Sequence, residues 1–261
     1  MSLHGKKALV TGSTSGIGLS VATALAEQGC DVMINGFGEA GAIKTLMQDL
    51  SSKNRVKVHY SPADLSTVAG VASLMSEAQA KLGGVDILVN NAGIQHTSPI
   101  EDFPPERWDA IIAINLSAVF HAVRLAVSGM KQSGWGRIIN IASTHGLVAS
   151  PFKSAYVAAK HGVLGLTKVT ALELATSGVT CNAICPGWVR TPLVERQIEA
   201  RAKERGLPLE QAAVELLAEK QPSQRFTQPS DIAALTVFLC TEAAANMTGT
   251  ALPVDGAWTA Q

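Results

Sequence analysis

The 261-residue chain has no surplus of charge of either sign: Lys and Arg total 21, and Asp and Glu total 21. That balance leaves no basic field to gather nucleic acid or an anionic membrane surface, so neither partner is expected. Charged residues make up only 16% and hydrophobic ones 47%, which excludes the charge-rich, core-poor composition of disordered chains. Long apolar runs are missing too. The stretches 232–235 and 237–240, around Thr236, fall far short of the ~18–20 residues that span a bilayer. Residues 1–7 offer no apolar segment followed by a small-residue cleavage site. No membrane span and no export signal are expected, and the expected location is cytoplasmic. The four cysteines, Cys30, Cys181, Cys185 and Cys240, lie in apolar segments without CxxC spacing or disulfide-framework density. They read as reduced, buried thiols, and no metal site is expected.

What is present is a regular alternation of elements. Residues 7–11 read as a short buried strand, followed by a Gly-rich turn and an apolar-periodic helix over 17–28 closed by Gly29. Strand 31–35, helix 39–50 and strand 56–60 complete a βαβαβ half. Helix 66–82, strand 85–89, a long helix opening after Pro104-Pro105, and strand 137–141 come next. The following helix carries Tyr156 and Lys160 and runs to 175. Strand 179–184, helix 230–240 and strand 251–254 complete the order, with Pro253 suiting a sheet edge. No linker divides these units. They predict a single α/β domain over 1–261 with a doubly wound, Rossmann-type parallel sheet. The rhythm breaks only at 190–222, where two charged amphipathic helices over 193–205 and 209–219 predict a helical lid insertion.

Thr11-Gly12-Ser13-Thr14-Ser15-Gly16-Ile17-Gly18 joins the first strand to the first helix. Glycine backbones there can approach a pyrophosphate while the helix N-terminus offers free N–H groups. The spacing is Gly-x-x-x-Gly-x-Gly, and a turn needing glycine for sterics alone is the competing reading. The second strand ends in Asn35-Gly36-Phe37-Gly38, without the acid that often binds a ribose 2′-hydroxyl, and Asp31 belongs to the opposite edge of the sheet. Arg and Lys are absent from 12–18 and 35–43, so nothing there neutralises a 2′-phosphate. NAD is therefore expected over NADP, with Phe37 against the adenosine end. Asp64-Leu65 follows the third strand, where Asp64 reads equally as an acceptor for the adenine amino group or as a helix N-cap. Asn90-Asn91-Ala92-Gly93 follows the fourth, either letting the backbone approach a cofactor or forming a structural turn. Asn115 interrupts an apolar helix and so needs solvent or a buried partner. Pro186-Gly187 ends the sixth strand, with Thr191 just beyond. These positions fall along the edge where doubly wound sheets bind ligands.

Ser143 precedes Tyr156-x-x-x-Lys160 by thirteen residues, and Tyr156 and Lys160 share one helical face. A free phenol with a pKa of about 10 is a poor base near neutrality, and a nearby ammonium favours its phenolate form. An ordinary exposed surface pair has the same spacing.

On Thr11-Gly12-x-x-x-Gly16-x-Gly18, Asn90-Asn91-Ala92-Gly93, Asn115, Ser143, Tyr156-x-x-x-Lys160 and Pro186-Gly187, the chain resembles the short-chain dehydrogenase/reductase family over nearly its whole length. Segments 35–38, 93–96, 145–150 and 184–195 resemble the branch of that family that oxidises D-3-hydroxybutyrate to acetoacetate. The resemblance implies an NAD-dependent, homotetrameric dehydrogenase. Tyr156 would be its general acid/base, Lys160 would lower the tyrosine pKa and bind the nicotinamide ribose, and Ser143 would hold the substrate oxygen. Asn115 would support a water relay to Lys160. Together with the strand-end motifs, it implies cofactor contacts from Gly12, Thr14, Ser15, Gly16, Ile17, Gly18, Phe37, Asp64, Leu65, Asn91, Ala92, Gly93, Tyr156, Lys160, Pro186, Gly187, Val189 and Thr191. Gln95, His145, Lys153 and Gln197 are implied around the substrate carboxylate, and Trp188 around its methyl end. A small anion desolvated under a lid needs such charge and donors. Two features depart from the family: Pro151-Phe152 before Lys153, and Ala257 where a second glycine is common after Asp255-Gly256. An NADPH-dependent 3-oxoacyl reductase would use the same catalytic set, and a dinucleotide-sensing protein would use the fold without turnover.

Overall fold

Short strands rich in aliphatic residues, nearly all buried in the middle of the sheet, require helices on both faces of a parallel sheet. They are β1 (Lys7–Val10), β2 (Asp31–Asn35), β3 (Val58–Ser61), β4 (Ile87–Asn90), β5 (Gly136–Ile141), β6 (Val179–Pro186) and β7 (Ala251–Val254). In the computed structural model, which describes residues 3–260, they form one sheet in the order β3-β2-β1-β4-β5-β6-β7. Every pairing is parallel. The strand order reverses between β1 and β4, which opens a crevice beyond their carboxyl ends. Strand β7 is an edge strand, as Pro253 requires, and Asp31 lies at the amino edge, where its carboxylate accepts from Lys57 N at 2.8 Å.

The connecting helices are α1 (Gly16–Glu27), α2 (Ala40–Asn54), α3 (Val68–Leu82), α4 (Pro105–Ile112), α5 (Ala118–Ser133), α6 (Ser154–Leu174), α7 (Pro192–Arg205), α8 (Leu209–Ala218) and α9 (Pro229–Cys240). Alternate strand residues feed opposite cores. Leu9, Leu88 and Ile138 join Leu74, Val123 and Val163 of α3, α5 and α6 on one face. Ala8, Val10, Val89 and Ile139 join Val21, Leu25, Ile232 and Leu239 of α1 and α9 on the other. All four cysteines are buried, which pushes the Cys30 and Cys181 thiols up to about 12.

The long helix expected after Pro104-Pro105 is not uniformly α. A π turn, Ala113–Ser117, sits between α4 and α5 and contains Asn115. By length and composition the continuous helix Pro105–Ser133 is apolar enough to cross a membrane. Polar residues such as Asn115, Ser117, His121 and Arg124 interrupt it, so it holds no long unbroken apolar run. Here its Ala118, Val119, Ala122, Val123, Ala126 and Met130 face packs into the core against the sheet.

The excursion after β6 forms the two expected helices, α7 and α8, around a small core of Val194, Ile198, Ala202, Ala212 and Leu216 that Trp188 and Phe226 also touch. Thr191 caps α7 by accepting from Val194 N, and Pro192 occupies the first turn, where its missing N–H costs nothing.

Candidate active site

The β1–α1 turn is built by close backbone approach. Gly12 takes φ +60°, and a Cβ there would lie 2.8 Å from Ala92 Cα. A Cβ on Gly18 would lie 2.3 Å from Gly12 O, so α1 packs directly against the turn that precedes it. Asn91 Nδ2 donates to Thr11 O and Gly12 O, both at 2.9 Å, and Thr11 Oγ1 accepts from the Asn91 and Ala92 amides. The ends of β1 and β4 are thereby fastened together. At the start of α1, Ser15 makes no side-chain cap, and Ser15, Gly16 and Ile17 line a cavity of about 300 Å³. A helix N-terminus with uncapped N–H groups opening on a cavity fits the diphosphate of a dinucleotide.

At the end of β2, the Asn35 side chain is fully engaged within the protein. Its Oδ1 accepts from Gly12 N at 3.3 Å, while its Nδ2 donates to Ser61 O and Ala63 O at 3.1 and 3.0 Å. Phe37 follows, 71% exposed. Asp64 is not a helix N-cap: its carboxylate accepts from Ser66 N and Ser66 Oγ, and Thr67 caps α3 by accepting from Gly70 N. That half of the reading of Asp64 is corrected, because the helix starts two residues later than its pattern suggests.

Ser143, Tyr156 and Lys160 converge on the same cavity, Ser143 from the end of β5 and the other two from the start of α6. Lys160 is 4% exposed; its Nζ donates to Ile141 O at 2.7 Å and stands 5.6 Å from the centre of the Tyr156 ring. Burial lowers the Lys160 ammonium to about 8. Burial also raises the Tyr156 hydroxyl above the usual phenol value, and a hydrogen bond with Ser143 offsets this in part. The lowering expected at Tyr156 is therefore not seen in the protein alone: desolvation outweighs the partners that favour phenolate. Asn115 has the buried partner its position demands. Its Oδ1 accepts from Ile94 N at 2.9 Å, and its Nδ2 donates to Ile94 O at 3.0 Å, which pins the segment after β4 to the π turn.

The outer part of the cavity is walled by Gln95, His145, Lys153, Trp188 and Gln197, so all seven residues expected around a substrate line one space. No Asp or Glu is among its lining residues. Lys153 Nζ stands 5.5 Å from the centre of the Trp188 ring, and burial lowers its pKa. The His145 ring lies between polar and aromatic partners. Its Nδ1 is 3.4 Å from Ser143 Oγ, its Nε2 is 2.9 Å from Ser150 Oγ, and the ring packs edge-on to Tyr156 and Trp258. Burial, reinforced by the charge of Lys153, pushes its pKa down to about 4, so the imidazole is neutral near pH 7.

Among residues expected at the cofactor, Ser15, Gly16, Ile17, Asn91, Gly93, Tyr156, Lys160, Pro186, Gly187, Val189 and Thr191 line this cavity. Gly12, Thr14, Gly18, Phe37, Asp64, Leu65, Ala92 and Asn115 are not in its wall; Gly12, Gly18 and Asn115 shape it from behind. Arg196 and Trp258 are among the lining residues that no motif in the sequence marks. Trp258 comes from the C-terminal turn and sits 5.9 Å from Trp188, ring centre to ring centre. Both departures from the family pattern take left-handed backbone: Phe152 has φ +66° and Ala257 φ +72°. Phe152 projects outward, 55% exposed, while its carbonyl accepts from Ser98 N at 2.9 Å. Lys153 still enters the site.

Comparison with known proteins agrees with this geometry. The family profile described as short chain dehydrogenase matches residues 6–202. The chain is 61% identical over 259 residues to a D-beta-hydroxybutyrate dehydrogenase of Cupriavidus necator, covering 99% of this chain and all of that one. It is 52% identical over 256 residues to the enzyme of the same name from Rhizobium meliloti, covering 98% and 99%. Among solved structures, L-sorbose reductase from Gluconobacter frateurii, complexed with NADPH and L-sorbose, superimposes with a TM-score of 0.93 at 30% identity, over 98% of each chain.

Proposed function

The chain belongs to the short-chain dehydrogenase family, and from that premise we propose that it oxidises D-3-hydroxybutyrate to acetoacetate, reversibly and with NAD. The observation that carries this reading is the convergence of Ser143, Tyr156 and Lys160 with Gln95, His145, Lys153, Trp188 and Gln197 on one cavity without a carboxylate. A small monoanion fits such a space, with its charge toward Lys153 and the glutamines and its methyl group against Trp188 and Trp258.

When bound, the nicotinamide supplies the acceptor for the hydride that leaves C3 of the substrate. The protein handles the proton. Tyr156 in its phenolate form takes the hydroxyl proton as the C3–H bond breaks, and in the reverse direction it returns that proton to the oxygen. Ser143 Oγ accepts from His145 N at 3.1 Å, which leaves its hydroxyl hydrogen available to the reacting oxygen. Protonated Lys160 beside the ring opposes the desolvation that otherwise keeps Tyr156 neutral. Asn115 supports the relay of the proton outward through its main chain, since both polar groups of its side chain are bound to Ile94. Holding substrate and proton acceptor in register and stabilising the developing alkoxide contribute the rest of the acceleration.

The preference for NAD is supported by the end of β2. Asn35 is locked, and no Arg or Lys stands at 12–18 or 35–43 to meet a 2′-phosphate. Exposed apolar side chains on α5 and α6, including Phe120, Val169 and Leu172, support assembly, and we place the protein as a homotetramer acting in the cytoplasm. Initial rates of NADH formation from D-3-hydroxybutyrate, set against rates with NADP, test the activity. Size-exclusion chromatography with light scattering tests the assembly.

A further inference from the structure

We propose that Arg196 is a carboxylate-binding residue of the lid, closing on the substrate's anionic end together with Gln197. This rests on the reading of the cavity as a site for a small hydroxy acid. The arginines around α7 are otherwise matched with glutamates. Arg190 Nε lies 2.7 Å from Glu195 Oε1, Arg205 Nη1 lies 3.1 Å from Glu215 Oε2, and Arg201 pairs with Glu219. Among the described residues, Arg196 has neither an ion pair nor a hydrogen bond through its side chain, and of these four it alone lines the cavity.

Nothing about helix stability asks for a cation at this position. Arg196 stands one turn into α7, nearer the positive end of the helix dipole than the negative end. The cavity offers it no carboxylate, because its wall contains no Asp or Glu. Of the other two cations of the wall, Lys160 Nζ donates to Ile141 O, and Lys153 Nζ, 5.5 Å from the centre of the Trp188 ring, shares the anion with Arg196. A guanidinium presents a planar fork of donors that matches a carboxylate edge to edge, which an ammonium cannot do. Arg196 is exposed, so its charge stays hydrated until an anion enters. The substrate carboxylate then supplies the partner that a glutamate supplies to each neighbouring arginine, and the lid helix is drawn over the site by the charge it covers.

The test is acetate binding to the NAD-loaded protein, followed by tryptophan fluorescence, in wild type, R196Q and R196K, with steady-state rates on D-3-hydroxybutyrate and on its uncharged amide. R196Q is expected to weaken acetate by about 10-fold, with R196K recovering part of the loss. The drop in kcat/KM should be larger for the acid than for the amide. Equal acetate affinity in R196Q and wild type would overturn the proposal, as would equal losses on acid and amide. An increase confined to the KM for NAD would also overturn it, by assigning Arg196 to the cofactor diphosphate. If wild type fails to oxidise D-3-hydroxybutyrate, the functional reading falls, and the acetate comparison still decides the role of Arg196.

Discussion

His145 Nε2 stands 2.9 Å from Ser150 Oγ, while the other nitrogen of the same ring faces Ser143 Oγ at 3.4 Å. A neutral imidazole carries one hydrogen, so what one nitrogen does decides what the other can do. If the Ser150 hydroxyl donates to Nε2, Nδ1 keeps the hydrogen and gives it to Ser143 Oγ. The Ser143 hydroxyl hydrogen is then free for the substrate oxygen. S150A is expected to lower kcat about fivefold, equivalent to about 1 kcal/mol for one buried hydrogen bond, with the KM for NAD unchanged. Steady-state rates and the ¹⁵N shifts of the His145 ring check this, and unchanged ring shifts would contradict it.

The proposed reaction assigns proton exchange with the substrate oxygen to the Tyr156 hydroxyl, which lines the cavity beside Ser143. Replacing it in Y156F should reduce kcat by about 10²–10⁴, the range for a positioned acid/base. Cofactor affinity should stay within a few-fold, because the uncapped start of α1 is untouched. Single-turnover rates and NADH fluorescence titration measure the two effects separately.

The depressed pKa of His145 links stability to pH. With a folded value of about 4 against an ordinary 6.5, the unfolded chain binds a proton between these values and the native protein does not. Stability therefore rises with pH through this window and is lost as pH falls from about 6.5 towards 4. The loss attributable to His145 between pH 7 and pH 5 is roughly 2 kcal/mol. Urea denaturation of wild type and H145Q at both pH values checks it, with the variant expected to show the smaller dependence.

Ala257 holds φ +72°, with its amide donating to Asp255 Oδ1 at 3.1 Å. Left-handed backbone costs a residue with a Cβ about 1–2 kcal/mol, whereas glycine costs about 0.4–1 kcal/mol through the freedom it adds to the unfolded chain. The first effect is larger, so A257G should stabilise the protein by about 0.5–1 kcal/mol. A raised urea midpoint with an unchanged slope is the expected signature.

The strands and the nucleotide turn were legible because local rules decide them. An aliphatic run such as Ala8-Leu9-Val10 followed by glycines has few other places to go in an alternating chain. The Tyr156–Lys160 pair was legible as helical spacing, and its neighbours came from resemblance. What stayed hidden depends on contacts distant in sequence. Trp258 reaches the cavity from the last turn of the chain, and Arg196 stands out only once Glu195, Glu215 and Glu219 are seen to take the other arginines. The π turn carries Asn115, and Ile94, twenty-one residues earlier, satisfies both ends of its amide. The raised Tyr156 pKa reflects how far the fold desolvates the phenol, a quantity that spacing along a helix does not carry.

The proposed activity pairs one substrate with one cofactor. Its most direct test is the initial rate of NADH or NADPH formation with each enantiomer of 3-hydroxybutyrate against NAD and NADP. Rapid NADH formation from the D enantiomer with NAD is expected, and far slower turnover with NADP or with the L enantiomer. Failure to form NADH from D-3-hydroxybutyrate, or a clear preference for NADP, would contradict it.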